Sequence, residues 1–261
     1  MKSPAVVPRL LLLSLCLCPP AAAAAEWSNT EAQLQYGHLD NPYTGRGTDT
    51  TILTLQHASG WQYGDNYFFV DFLNDSRGDG FNDKDVYAEW YSNFSLGKIT
   101  GCDLAVGPFS DFGLIFGYNF AADANVGKVL PGIRLSWEIP AEGAFLNTDI
   151  TAFIDDSDGD MAPREGDSFM VDFNGAFPFT IGGQDFSIEG HIEYIEGRRI
   201  ESGGRAKSWI FAQPQFRWDM GKALFDSPKQ LFVGIEYQYW RNKQGTDVDE
   251  SAVQALLVWR F

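Results

Sequence analysis

Tyr87, Glu89, Tyr91 and Asn93 occupy every second position of the segment 84–94, with Val86, Ala88 and Trp90 in between. Alternate residues of an extended strand share a face, so the first set forms a ladder of aromatic, acid, aromatic and amide groups. Aromatic faces hold flat rings, while carboxylates and amides hold hydroxyl groups. The ladder is therefore suited to weak binding of a flat, hydroxyl-bearing solute, or more simply to filling a wet interior. Further ionisable candidates lie at Arg134 and Glu138, at Asp149 and Asp172, at Glu189, His191 and Glu193, and at Glu236. For Arg134 and Glu193 the expected role is cross-strand ion pairing that props the interior open. His191, between two carboxylates, fits a satisfied polar network better than a catalytic base. The sequence implies no cofactor and no resident metal. With Gly159 or Gly80 taken as the turn glycine, the acidic runs 155–160 and 74–85 each lack an oxygen donor at the first or last position of a calcium loop.

These residues need elements that set charge on one face and grease on the other. Twelve segments show the two-residue period of strands: 31–38, 50–57, 65–73, 84–94, 111–120, 129–139, 144–154, 167–177, 185–196, 207–218, 230–241 and 250–261. In 185–196, Phe186, Ile188, Ile192 and Tyr194 oppose Glu189, His191 and Glu193. In 230–241, Leu231, Val233, Ile235, Tyr237 and Tyr239 oppose Glu236 and Gln238. In 129–139, Val129, Ile133, Leu135, Trp137 and Ile139 oppose Arg134, Ser136 and Glu138. Several charges on one strand face cannot enter a dry core unpaired, so they need water or a polar lumen, and the other face needs lipid or a core, as in a barrel or a soluble sandwich. The outward face of 50–57 is not decided by its pattern. The connections 39–49, 74–83, 121–128, 155–166, 197–206 and 242–249 are mostly polar or acidic, whereas those between them include the tight "PAEG" at 140–143. Longer loops outside and shorter turns inside are the habit of outer-membrane barrels. The connections 95–110 and 219–229 are longer than that habit predicts.

The ends of the chain agree with export. Residues 1–25 read as a secretory signal peptide: Lys2 and Arg9, a short apolar run from Leu10 to Leu17, then Ala23-Ala24-Ala25 before Glu26. The domain expected after it is 26–261. Phe261 closes the chain, preceded at every second position by Trp259, Leu257, Ala255 and Val253. Such a tail is expected to engage the barrel assembly machinery. Trp27, Trp61, Trp137, Tyr239 and Trp259 are expected at the membrane interfaces. Only Cys102 remains beyond the leader, so no internal disulfide forms. With 35 acidic against 19 basic residues, the net charge is −16, which disfavours nucleic acid as a partner. The same charge suits loops that meet divalent cations and lipopolysaccharide. The expected architecture is an all-β, twelve-stranded antiparallel transmembrane β-barrel of the bacterial outer membrane. Twelve strands lie between a filled eight-stranded barrel and a wide porin, and predict a narrow passage.

The stretch 86–119, "VYAEWYSNFSLGKITGCDLAVGPFSDFGLIFGYN", resembles the Tsx-type nucleoside-specific channel family, which includes OmpK-type proteins. The resemblance is carried by Glu89, Phe94-Ser95, Lys98, Thr100, Asp103-Leu104 and Gly107-Pro108-Phe109. It implies a monomeric twelve-stranded barrel with a narrow pore that passes nucleosides and deoxynucleosides over several weak aromatic and ionisable sites. It also implies a role as phage or colicin receptor. Carboxylates are expected near 53–55, where this chain has Leu53 and Leu55.

Read with that resemblance, the substrate-binding candidates in the lumen are Tyr87, Glu89, Tyr91, Asn93, Arg134, Glu138, Glu189, His191 and Glu236. The competing functions are a channel for another small solute, a non-conducting receptor barrel, and an outer-membrane lipid hydrolase. The hydrolase is the poorest fit. The histidines His38, His57 and His191 sit in no hydrolase motif, and the sequence has no G-x-S-x-G elbow.

Overall fold

The computed structural model describes residues 25–159 and 162–261. The signal-peptide reading of 1–25 falls almost wholly outside them. Twelve strands close one antiparallel barrel. The first nine are β1 (Trp27–Asp40), β2 (Gly47–Trp61), β3 (Gly64–Asp75), β4 (Asp85–Ser95), β5 (Phe109–Ala121), β6 (Val126–Trp137), β7 (Phe145–Asp155), β8 (Ser168–Ile181) and β9 (Gln184–Ile195). A small hairpin follows in the outer loops, β10 (Arg198–Arg199) with β11 (Arg205–Ala206). The tenth barrel strand is split into β12 (Trp209–Ala212) and β13 (Gln215–Asp219), which pair on both sides with the same neighbours. Pro214 lies in the break and has no N–H to offer the ladder. The last two strands are β14 (Leu231–Arg241) and β15 (Glu250–Arg260). The barrel closes by pairing β1 with β15, from Glu31 opposite Arg260 to Tyr36 opposite Ala255.

The two ends differ as the loop chemistry predicts. The inner end carries both termini of the sheet and the tight turns. At Gly182 and Gly183, both with positive φ (59° and 79°), β8 turns into β9 in two residues, a conformation that any side chain would strain. The two long inner connections fold into short helices, α1 (Leu96–Thr100) and α2 (Met220–Phe225). Ser95 caps α1 by accepting from the Lys98 amide, and Asp219 caps α2 by accepting from the Lys222 amide. The motif that carried the family resemblance builds the first of these corners. Asp111 accepts hydrogen bonds from Ser95 and the Gly97 amide, and Lys98 Nζ reaches Glu26 and the Trp61 carbonyl, each at 3.0 Å. Trp61, Tyr63 and Phe94 pack edge to face beside it, an aromatic rim at the inner interface.

The outer wall is apolar. Ile133, Ile188, Ile192, Ile235, Val253 and Leu257 point outward and are exposed to the surroundings of the sheet, where only lipid can cover so continuous a band. Leu53 and Leu55 join them, which settles the face of β2. Ile235 sits mid-strand opposite Ala255. Ile235→Arg is expected to destabilise the folded barrel by about 2–4 kcal/mol, the range for arginine at the bilayer midplane. Urea unfolding in lipid vesicles, with Ile235→Leu as control, measures it, and an unchanged midpoint would contradict the lipid-facing assignment.

The inside is polar over its lower and middle parts and mixes apolar clusters with buried ion pairs towards the outer loops. There Leu130, Phe153, Met170, Ile195 and Trp209 form a buried cluster, and Leu39, Ile52 and Ala252 a second one. The Arg198 guanidinium lies over the Trp209 and Phe153 rings, at 4.5 and 4.8 Å, and pairs with Glu165 at 2.5 Å. Lys128 joins Glu165 (2.8 Å) to Asp155 (2.5 Å). On the opposite side Lys243 of the last outer loop reaches Glu250 at 2.8 Å and the Asp40 carbonyl at 2.6 Å. Burial pushes its pKa below the ordinary lysine value, with the Glu250 carboxylate pulling the other way.

Candidate functional site: a carboxylate-lined lumen

A cavity of about 700 Å³ occupies the barrel from Trp27 and Ala58 at the inner mouth to the level of Glu89 and Glu193, below the apolar cluster. Its size is that of a site for one small molecule. Two fixed ionic clusters brace its walls. Arg134 meets Asp149 in a bidentate pair, at 2.7 and 2.6 Å, and reaches across the lumen to Asp65 at 2.8 Å. Arg217, only 2% exposed on its side chain, pairs with Glu31 at 3.0 Å and Glu189 at 3.2 Å. Glu31 also receives Arg260 at 2.5 Å and Gln56 at 2.9 Å.

Between these clusters runs a belt of hydrogen bonds. Asn174 donates to Asp149 (3.1 Å) and Asp172 (2.7 Å), and Asp172 faces His191 Nδ1 at 3.0 Å. Gln213 donates to Glu236 at 3.3 Å, and Gln215 and Gln254 donate to it at 2.6 and 2.7 Å. Thr54 donates to Asp71 at 2.5 Å. Tyr87 and Asn119 donate to Glu89, at 2.5 and 3.0 Å. Among the described residues, no Lys, Arg or His nitrogen lies within 4.0 Å of Asp71, Glu89, Glu193 or Glu236. The upper lumen thus holds four carboxylates outside any direct ion pair, with His191 the nearest basic group to Glu193. Tyr67, Phe69 and Tyr91 add aromatic surface to one side of the same region, with Tyr67 and Phe69 6.1 Å apart.

The residues expected from the sequence are distributed as follows. Glu89, Tyr91, Arg134, Glu189, His191 and Glu236 line the cavity. Glu138 lies at its inner mouth, one residue beyond the end of β6. Tyr87 and Asn93 are not among the lining residues; they hold it from behind, through Glu89 and through Asp65 at 2.8 Å respectively. Glu193, expected to prop the barrel by ion pairing, has no Lys, Arg or His nitrogen within 4.0 Å among the described residues. Its single side-chain hydrogen bond comes from Trp209 Nε1 at 3.4 Å, because the strand opposite offers Trp209 and Phe211 rather than a basic residue. Trp27 and Trp137, expected at the interface, also border the inner mouth. The carboxylates expected near 53–55 are supplied by neighbouring strands: Thr54 faces inward between the two leucines, and Asp71 and Glu31 stand on β3 and β1. Sequence reasoning missed Glu31, Asp71 and Arg217. Each lies on the inward register of its strand, and that period-two position was the available signal.

The family model described as "Nucleoside-specific channel-forming protein, Tsx" matches residues 23–257. The chain belongs to the Tsx family. It is an outer-membrane channel. Direct sequence comparison with curated proteins finds no match. Among solved structures, the COG4313 outer membrane channel from Pseudomonas putida F1 is similar with a TM-score of 0.50 at 12% identity, over 93% of this chain and 99% of that one. The KdgM porin is similar with a TM-score of 0.47 at 8% identity, over 88% of this chain and 99% of that one. At such identity the first likeness speaks for the barrel fold of this Tsx-family chain, and solute choice rests on the lumen residues.

Proposed function

We propose that this channel passes nucleosides by non-enzymatic diffusion, through weak binding in the upper lumen. The observation that carries the reading is the placement of Tyr67, Phe69 and Tyr91 in one cavity with Asp71, Glu89 and Glu236, which have no cation within 4.0 Å among the described residues. A nucleobase stacks on an aromatic face, and ribose hydroxyls donate to Glu89, Asp71 or Glu236. Carboxylates that receive only neutral donors keep acceptor capacity for a solute, while those locked to Arg134 and Arg217 are already spent on bracing. Weakness is required, since solute must leave as readily as it enters. Membership of a nucleoside-channel family supports the same choice of solute.

Conductance in a planar bilayer tests it. Adenosine is expected to reduce the current through the wild-type channel. Phe69→Ala is expected to weaken that block about fivefold or more, since loss of one base–aromatic stack costs about 1–3 kcal/mol. Block of equal depth by a simple sugar, or a current indifferent to adenosine, would turn the assignment to another small solute. A barrel with no current at all would point to a receptor role for the outer loops.

A further inference from the structure

We propose that Asp172, His191 and Glu193 form a binding site for a divalent transition-metal cation inside the channel. Their ligand atoms, one imidazole nitrogen and two carboxylate oxygens, all lie within 4.8 Å of one another. Asp172 Oδ1 and His191 Nδ1 are 3.0 Å apart. Ligands held at about 2.0–2.1 Å around a tetrahedral ion stand about 3.3 Å from each other, so this edge needs almost no adjustment. Glu193 completes the set by a rotation of its flexible side chain.

Two further observations show carboxylates with room for a cation beside this cluster. Glu193 is only 7% exposed, yet among the described residues its one side-chain hydrogen-bond partner is the Trp209 indole N–H at 3.4 Å. Glu89, on the facing part of the same cavity, has neutral donors only, Tyr87 and Asn119. Burying carboxylates without a cation is costly, and a divalent ion at this height would neutralise two at once. The imidazole sets the class of ion. Mg²⁺ and Ca²⁺ prefer all-oxygen shells, whereas one nitrogen with two carboxylates suits Zn²⁺ or Fe²⁺ and leaves positions open to water or solute. Asn174 donating to Asp172, and Gln213 beside His191 Nε2 at 3.4 Å, hold two of the ligands in orientation. The His191 ring also meets the face of Phe211 edge-on at 5.3 Å. An ion here sits in the permeation path, whatever solute the channel carries, and narrows it.

The test uses the full-length protein in detergent, titrated calorimetrically with Zn²⁺ and, separately, Mg²⁺. One Zn²⁺ site is expected in the wild type, with no matching Mg²⁺ site. Losing an outer partner of a metal ligand already weakens binding by about 10–100-fold, so His191→Gln and Glu193→Gln are each expected to weaken the Zn²⁺ site by at least that much. In bilayers the same Zn²⁺ concentrations should reduce wild-type conductance and spare both variants, whose remaining current reports an intact barrel. Absence of Zn²⁺ binding to the wild type would overturn the site. So would binding unchanged in both variants, which would place the ion on the acidic outer loops instead.

Discussion

Under a salt gradient in a planar bilayer, the channel is expected to pass potassium in preference to chloride, and replacing Glu89, Glu193 and Glu236 together by glutamine is expected to abolish most of that preference. The physical cause is the imbalance of the lumen. Arg134 and Arg217 are each held by two carboxylates, and Arg260 adds its charge to Glu31. Beyond these, Asp71, Glu89, Glu193 and Glu236 face the interior without a cation within 4.0 Å among the described residues. A passing monovalent ion about 6 Å from one such charge gains about 3 kcal/mol at an effective dielectric near 20. Several carboxylates in one cavity therefore attract a cation and repel an anion. Glutamine keeps the size and most hydrogen bonds while removing the charge, so the triple variant separates charge from shape. A reversal potential favouring chloride in the wild type, or one unmoved in the variant, would contradict this electrostatic picture.

Arg217→Met is expected to cost the barrel about 3–5 kcal/mol, the range for breaking a buried ion pair from one side. Arg217 Nη1 lies within 3.3 Å of both Glu31 oxygens and within 3.2 Å of Glu189, and its Nε donates to Gln215 at 2.7 Å. Methionine fills similar volume but leaves Glu31, fully buried, with Arg260 as its one cation among the described residues. The double variant Arg217→Met with Glu31→Gln removes both charges and is expected to recover much of the loss. Urea unfolding in vesicles gives all four corners of that cycle. Equal midpoints for wild type and Arg217→Met would show that the cluster does not hold the closing seam.

The two clusters differ in how far the sequence announced them. Arg134 and Asp149 were both visible as charges on the inward face of neighbouring strands, and antiparallel pairing of β6 with β7 puts them directly opposite. Arg217 and Glu31 are 186 residues apart and meet only because β1 closes onto β15, with β13 and β14 beyond it. No local pattern encodes which strand ends a barrel. Asp71 was hidden for a different reason. It stands among Phe68, Phe69, Val70, Phe72 and Leu73, where alternation is masked by aromatics on both faces. The outer cluster was missed because inward positions were read as uniformly polar. Leu130, Phe153 and Met170 hold the inward register of strands whose other inward residues are mostly polar or charged. Packing against one another lets them do so, and a one-dimensional period cannot report that.

The sequence by itself determined the architecture. Period-two alternation over twelve segments, polar outer loops and an aromatic tail leave one arrangement that hides grease in lipid and charge in water. The tertiary structure alone decided which carboxylates are neutralised and which stay free. That division depends on distances of a few ångströms between strands far apart in the chain, and Coulomb attraction acts through those distances, not through the order of residues. It separates the groups that brace the barrel from the groups left to meet a solute.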